Sequence, residues 1–287
     1  MPTALLLRLA LREVGDDSGG PMTFLDALHR RGGPEVFSAA VALVGDTIAV
    51  RRELGVRILR ELGPEQPGGG RPFSAVTIPL LLDRLRDETD PGVLRWVVSA
   101  LGHHRVHTAL PAVLELAAHP DQRVRFHVAA ALPSLVDLAD VEPAAAEALI
   151  RLCEDEDADI RYYALYAATR EISGLDTEAM IRLTERLRDD PDEQVRTMAA
   201  EHHTAVHEVR RLLNEWDFIG VFDPDKNIDE YDCLIGGLLV ALVEDVDATG
   251  IRELLDDEIR HHFGMEPADA GTAAMADRLV TWWRRAP

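Results

Sequence analysis

The chain has 287 residues, 47% of them hydrophobic, two cysteines and a formal net charge of -21. Such a hydrophobic share supplies a large core and excludes disorder for most of the length, while Cys153 and Cys233, lying in separate segments, exclude a disulfide framework and suit structural thiols in a reducing compartment. A field of this sign opposes binding to a nucleic-acid backbone unless a local basic groove intervenes, and it favours a basic protein surface.

The opening segment, MPTALLLRLALREVG, has no basic leader and is interrupted by Arg8, so it is expected to form an amphipathic helix and not a signal peptide. The longest apolar run, Leu234 to Val243, is shorter than the roughly 18 residues of a bilayer span, and a cytoplasmic location is expected. Further on, an aliphatic residue is followed by arginine at Val50-Arg51, Leu94-Arg95, Val124-Arg125, Ile160-Arg161 and Val195-Arg196, each with an aspartate four or five residues upstream. The arginines lie 44, 30, 36 and 35 residues apart, the spacing of a helical-pair repeat. Counting from each aliphatic residue, helical spacing finds Leu54 and Ile58, Val98 and Leu101, Val128, Ala131 and Leu132, then Ala164, Ala167 and Ala168, so each helix has one apolar face.

A partner helix is expected before each of the later ones, around Leu110, Val113 and Leu114, around Ala145, Ala148 and Leu149, and around Met180, Leu183 and Leu187. Pro79 and Pro111 suit first helical turns. Polar turns at 119–122, 154–159 and 189–193 place aspartates where they cap the next helix and favour its dipole. Between the first two repeats GPEQPGGGRP, at 63–72, reads as a loop; its glycines lack the preceding strand and the motif of a phosphate cradle. In the fifth repeat the core positions are His202 and His203, a change expected where the array ends against the C-terminal segment.

VLRWVVSALG, RVRFHVAAAL and DIRYYALYAA resemble HEAT repeats, in particular the short type found in bilin lyases and many bacterial proteins, over residues 43–205. The resemblance implies an all-α fold, an α-solenoid of helical hairpins, with a hydrogen-bond ladder between successive repeats that gives that role to Asp121 with Arg125, Asp157 with Arg161 and Asp192 with Arg196. The expected organisation is residues 1–42 as helices capping the array, 43–213 as the array and 214–287 as an acidic helical domain.

From Asn214 the chain holds 17 acidic against 6 basic residues, net -11. Amphipathic stretches are expected around 233–243, 251–263 and 273–283. Trp216-Asp217 and the run Asp229, Glu230, Tyr231, Asp232 resemble a small bacterial helical domain of unknown function, although Phe218 stands where that pattern has proline; the resemblance implies no enzymatic activity.

Candidate chemistry is sparse. Asp223, Asp225, Asn227 and Asp229 open like a calcium loop, but Ile228 replaces its glycine and Leu234 its closing glutamate, so no metal is expected. His103, His104 and His107 fall, with Gly102 and the turn toward Pro111, in an inter-repeat connection, and among His202, His203 and His207 the pair His203 and His207 shares a helix face without HExxH or a third ligand, so both groups are read as surface or interface residues. No catalytic or cofactor-binding residues are assigned, and no cofactor is expected. Trp96, Phe126 and Tyr162, each two residues past the aliphatic position, with Tyr166 a turn beyond, either fill inter-repeat gaps or form an aromatic binding strip. All basic residues but Lys226 are arginine, a coding bias of GC-rich bacterial genomes.

The expected function is a non-enzymatic protein-interaction scaffold for a basic partner, specifically an immunity or antitoxin-like protein, without nucleic-acid or membrane binding. The partner-binding candidates are Trp96, Phe126, Tyr162, Tyr166, Trp216, Asp217, Asp229, Glu230 and Asp232. The alternatives are a repeat enzyme or enzyme subunit, bilin-lyase-like or base-excising, and a structural subunit of a larger assembly.

Overall fold

Alternation of short apolar faces with acidic turns gives a chain that is helical almost throughout. The computed structural model describes residues 1–16, 20–66 and 70–285, and among these there is no strand. The α-helices are α1 (Thr3–Val14), α2 (Thr23–Arg31), α3 (Pro34–Val44), α4 (Ala49–Glu61), α5 (Ser74–Asp87), α6 (Pro91–His103), α7 (Leu110–Glu115), α8 (Gln122–Ala131), α9 (Pro143–Leu152), α10 (Ala158–Tyr166), α11 (Thr177–Leu187), α12 (Glu193–Trp216), α13 (Ile235–Val243), α14 (Ala248–His261) and α15 (Thr272–Trp283). The chain divides into two compact units, one made of Met1–Val136 with Glu147–Tyr163, the other of Asp137–Ala146 with Ala164–Pro287. The triple glycine of the 63–72 loop falls partly outside the described residues.

In the first unit α3 packs on α4, α4 on α6 and α6 on α8. The apolar faces meet there: Leu54, Ile58, Val97, Val98, Leu101, Val124 and Val128 are all fully buried. Removing seven such side chains from water is what holds these helices side by side, at roughly 1.5–3 kcal/mol each before the entropy of ordering is subtracted. Gly55 sets how closely α3 and α4 approach, since a Cβ there would lie 2.7 Å from the Val44 nitrogen and 2.8 Å from the Ala40 oxygen.

The turns repeat more strictly than the helices. Two residues ahead of each second-helix N-cap a side chain accepts the N–H of the cap residue: Asp46 from Ile48, Glu88 from Asp90, His119 from Asp121, Asp155 from Asp157 and Asp190 from Asp192. Four residues after the cap comes an arginine that donates back to two carbonyls of its own turn, Arg52 to Asp46 and Thr47, Arg125 to His119 and Pro120, Arg161 to Asp155 and Glu156, Arg196 to Asp190 and Pro191. These carbonyls end the preceding connection and have no helical partner, so each guanidinium ties a turn to the helix it starts.

Two expectations are corrected here. The ladder does not join Asp121 to Arg125; Asp121 caps α8 through the Arg123 N–H and pairs with the Arg123 guanidinium. Asp157 likewise spends its carboxylate on the N–H groups of Asp159 and Ile160, and Asp192 on those of Gln194 and Val195. The inter-repeat rung runs instead to the carboxylate two residues before the next cap: Arg52 to Glu88 at 2.8 and 2.9 Å, and Arg125 to Asp155 at 2.7 and 2.9 Å. The aliphatic-arginine register also slips in the first two repeats, in opposite directions: Arg51 stands three residues past its cap, Ile48, and Arg95 five past Asp90, against four in the later repeats, so the equivalent residues are Arg52 and Leu94. With Leu94 in the arginine column and His119 in the carboxylate column, the rung between the second and third repeats is absent on both sides at once.

In the second unit α11 packs on α12, and α14 on α15. Val206, Val209 and Leu213 of α12 join Leu238, Leu242, Ile251, Leu255, Ala276 and Leu279 in one buried cluster. The three C-terminal amphipathic stretches are helices. Ala167–Glu171 is a π-helical turn, closed by the Ile172 N–H on the Ala167 carbonyl and by Thr169 Oγ1 donating to the Leu165 carbonyl. After it Ser173 and Gly174 both donate to the Leu138 carbonyl, and α13 lies so near that a Cβ on Gly236 would sit 2.1 Å from the Ser173 oxygen.

Candidate functional site

Among the described residues no helix is long and apolar enough to cross a membrane, and no group of three or more His, Cys, Asp or Glu is placed to hold a metal ion. The calcium-like loop uses its oxygens internally: Asp223 accepts the Asp225 N–H and pairs with Lys226, while Asn227 bonds the Asp223 N–H and the Val221 carbonyl.

In the first unit the aromatic positions follow the corrected register. Trp96 is six residues past its cap, as are His127 and Tyr163, whereas Phe126 and Tyr162 are five past theirs. Trp96 meets His127 edge to face at 5.0 Å, and Phe126 meets both His127, at 5.4 Å, and Tyr163, at 4.7 Å. Trp96, Phe126 and Tyr162 are half-buried, and Tyr163, a residue that sequence reasoning missed, is exposed at its end of this row. Its signal was the second tyrosine of the Tyr162-Tyr163 pair. Tyr166, in the other unit, is also exposed.

Three arginines surround the indole of Trp96, Arg57 with its guanidinium 4.2 Å from the ring centre, Arg95 at 5.5 Å and Arg60 at 5.6 Å. Glu53 answers two of them, 3.2 Å from Arg57 and 3.6 Å from Arg95. Burial pushes the Glu53 carboxyl up against the pull of these arginines. Beside this group Arg60, Arg71, Arg105, His103, Ser99 and Ser134 line a cleft of about 370 Å³.

In the second unit Trp216 and Asp217 build the connection after α12. The Trp216 indole N–H donates to the Ala270 carbonyl at 2.6 Å. Asp217 adopts a left-handed backbone (φ 36°) and accepts the Tyr231 hydroxyl at 2.5 Å and the N–H groups of Val221 and Phe222. Burial, and then the Asp217 carboxylate, push the Tyr231 phenol up. Tyr231 itself is fully buried, so the segments Trp216-Asp217 and Asp229–Asp232 are bolted together by one hydrogen bond beside the Phe218 ring, which makes tilted contacts with Tyr231 and Trp216.

Asp229 and Asp232 reach a different surface. With Asp176, Glu178, Glu258, Cys233 and His262 they line a groove of about 780 Å³. Asp232 is matched by Arg210 and Glu178 by Arg182, but Asp176, Asp229 and Glu258 have no ion-pair partner among the described residues. Glu230 is exposed beside them. The groove mouth is therefore strongly negative.

His202 lines a separate hollow of about 530 Å³ with Thr169, Leu239, Trp282 and Trp283, so this core column faces the C-terminal helices, whereas His203 turns to Thr184 and Glu185 of α11. His202 is lowered to about 4 by desolvation and by Arg170 and His203. His103 is lowered to about 4 by desolvation and Arg60, against Glu61, and His127 to about 4 by desolvation and Arg95, Arg60 and Arg57. All three stay neutral in the folded chain while the unfolded chain takes up protons near pH 6.5, so stability is full above that value and falls as pH drops toward 4. Urea midpoints should decline between pH 6.5 and 4.5, and His202→Gln should make that decline shallower while costing little at pH 7.5.

Residues 78–169 match the family model of HEAT repeats. No curated protein sequence matches the chain. Among solved structures, the X-ray structure of YibA from E. coli is similar over 100% of this chain and 93% of its own, with 18% identity and a TM-score of 0.57. The archaeal HEAT-like repeats protein of Thermococcus onnurineus aligns over 99% and 98% at 12% identity and a TM-score of 0.44. The CpcE–CpcF complex of phycocyanin lyase from Nostoc aligns over 69% and 81% at 17% identity and a TM-score of 0.37. The fold is all-α, of the helical-repeat solenoid class, and the repeats are HEAT-like.

Proposed function

We propose that this protein is a non-enzymatic interaction scaffold that holds a basic segment of a partner protein, in the specific form of an immunity or antitoxin-like protein neutralising a basic effector. HEAT-like helical repeats provide a rigid surface for a protein partner, and the observation that carries the basic partner is the groove whose Asp176, Asp229 and Glu258 form no ion pair among the described residues. Three carboxylates facing one channel repel each other until a cation arrives, so a guanidinium or ammonium group relieves repulsion as well as forming charge-assisted hydrogen bonds. The chain-wide charge of -21 adds long-range attraction, which sets encounter rate more than affinity.

An octa-arginine peptide titrated into the full chain should bind with an affinity that falls steeply from low to physiological salt, while a glutamate-rich peptide does not bind. The double variant Asp229→Asn, Glu258→Gln should weaken that binding about tenfold. Removing two charges elsewhere, Asp87→Asn with Glu115→Gln, should change it far less. Equal weakening by both pairs would reduce the effect to net charge and overturn the groove as the site.

A further inference from the structure

The strongest departure from the acidic character of the chain is the cleft in the first unit. Arg57 and Arg95 are answered by Glu53, and Arg60 by Glu61. Arg71 uses one terminal nitrogen on the carbonyls of Glu61 and Gly63, at 3.1 and 2.5 Å, which anchors the group at the cleft wall without an ion pair of its own among the described residues. Arg105 has no ion-pair or hydrogen-bond partner for its guanidinium among the described residues, although carboxylates outnumber cations 51 to 30 in the sequence.

The backbone at Arg105 is left-handed, φ 51°, held by its N–H on the Gly102 carbonyl at 2.8 Å and by the Val106 N–H on Leu101 at 3.1 Å. A non-glycine residue in that region carries strain of about 1 kcal/mol or more. Strain of this kind persists where the surroundings fix it, and here it ends α6 so that Arg105 stands at the cleft rim. Arg60 Nε is buried without a partner on the cleft wall, and Ser99 and Ser134 line the same space. A site so lined offers guanidinium forks from Arg71 and Arg105 and two hydroxyl donors around one small volume, against a single lining carboxylate, Glu65.

We propose that this cleft binds an oxyanion of the phosphate class, free or as the phosphomonoester of a small molecule. Arg105 supplies the uncompensated charge, Arg71 a second guanidinium, and Ser99 and Ser134 the hydroxyl donors. A tetrahedral anion uses donors from several directions, whereas a planar carboxylate satisfies one fork and leaves the hydroxyls idle. At about 370 Å³ the cleft is at the small end of small-molecule sites. The acidic field around it disfavours a polyanion such as duplex DNA, which would have to bring many phosphates near carboxylates. His103, kept neutral beside Arg60, gains a proton more readily once an anion sits next to it, and so reports occupancy.

The test is calorimetric titration of the full chain with inorganic phosphate at low salt and pH 7.5, with glycerol phosphate, acetate and a short DNA duplex in parallel. Phosphate should bind saturably and acetate at least about tenfold more weakly. Arg105→Gln, an exposed change that leaves the fold in place by circular dichroism, should weaken phosphate about tenfold. The His103 titration followed by NMR should move upward when phosphate is present. Tighter binding of glycerol phosphate than of phosphate marks an ester as the source and equal binding the free ion, and either supports the site. Absence of saturable phosphate binding, unchanged affinity in Arg105→Gln, or a duplex that binds more tightly than phosphate would overturn it.

Discussion

Replacing Asp155 with alanine should destabilise the protein by about 3–5 kcal/mol in urea unfolding followed by circular dichroism. The side chains of Asp155 and Arg125 retain 8% and 10% of their exposure, and the pair is bidentate at 2.7 and 2.9 Å. Removing the carboxylate leaves a buried guanidinium with only the exposed Glu156 and two carbonyls, and also strips the Asp157 N–H of its acceptor. Replacing both partners, Arg125→Met with Asp155→Leu, should recover most of the loss, because no charge is then stranded. The pair also carries a pH signature. Burial alone would raise the Asp155 carboxyl, but the Arg125 guanidinium and the Asp157 N–H outweigh it, and the net shift is downward. A lowered carboxyl stabilises the fold above the ordinary aspartate value and loses that contribution as pH falls through its own, so this loss comes below the range in which the histidines act.

Gly236→Val should cost about 3 kcal/mol, the upper end for overpacking, measured in the same way. The atom that a Cβ at Gly236 meets is the Ser173 carbonyl oxygen, at 2.1 Å, and this is backbone that cannot rotate away. That oxygen lies in a stretch already fixed by the π-helical turn and by the Ser173 and Gly174 bonds to Leu138. Relief therefore requires α13 to move as a body, which opens the cluster around Leu238 and Leu242. The damage should also be local: amide protection in α13 and α14 should fall while that in α6 and α8 stays unchanged.

The helices were legible in the sequence because their buried faces recur at helical spacing, and the acidic turns because aspartate has one physical role at a helix start. The register was legible only in the last three repeats. Asp121, Asp157 and Asp192 stand four residues before their arginines; Asp90 stands five before Arg95, and that single extra residue moves Arg95 out of the rung and Trp96 out of line with Phe126 and Tyr162, while in the first repeat Asp46 is not the cap but lies two residues ahead of it, Ile48. The Arg125–Asp155 rung spans 30 residues and depends on how repeats stack, which no local pattern encodes. The cleft arginines come from α4 and from the connections after α4 and after α6, so their convergence is a property of packing and not of spacing. The acidic groove was half legible: Asp229 and Asp232 were marked by composition, while Asp176 and Glu258 arrive from α11 and α14 and their connections.

The missing rung at Leu94 and His119 gives the first unit two kinds of joint. The contacts Arg52–Glu88 and Arg125–Asp155 are electrostatic latches, released by protonation of their carboxylates and, being buried, little screened by salt. Between them α6 and α8 are joined without an ion pair, by aliphatic packing and the Trp96–His127 ring contact, which salt leaves nearly untouched and which cold weakens. Chemical conditions thus reach the two kinds of joint in turn: falling pH first charges His127 within the α6–α8 joint and only later releases the carboxylate latches, whereas chilling weakens the apolar joint while both latches stay shut.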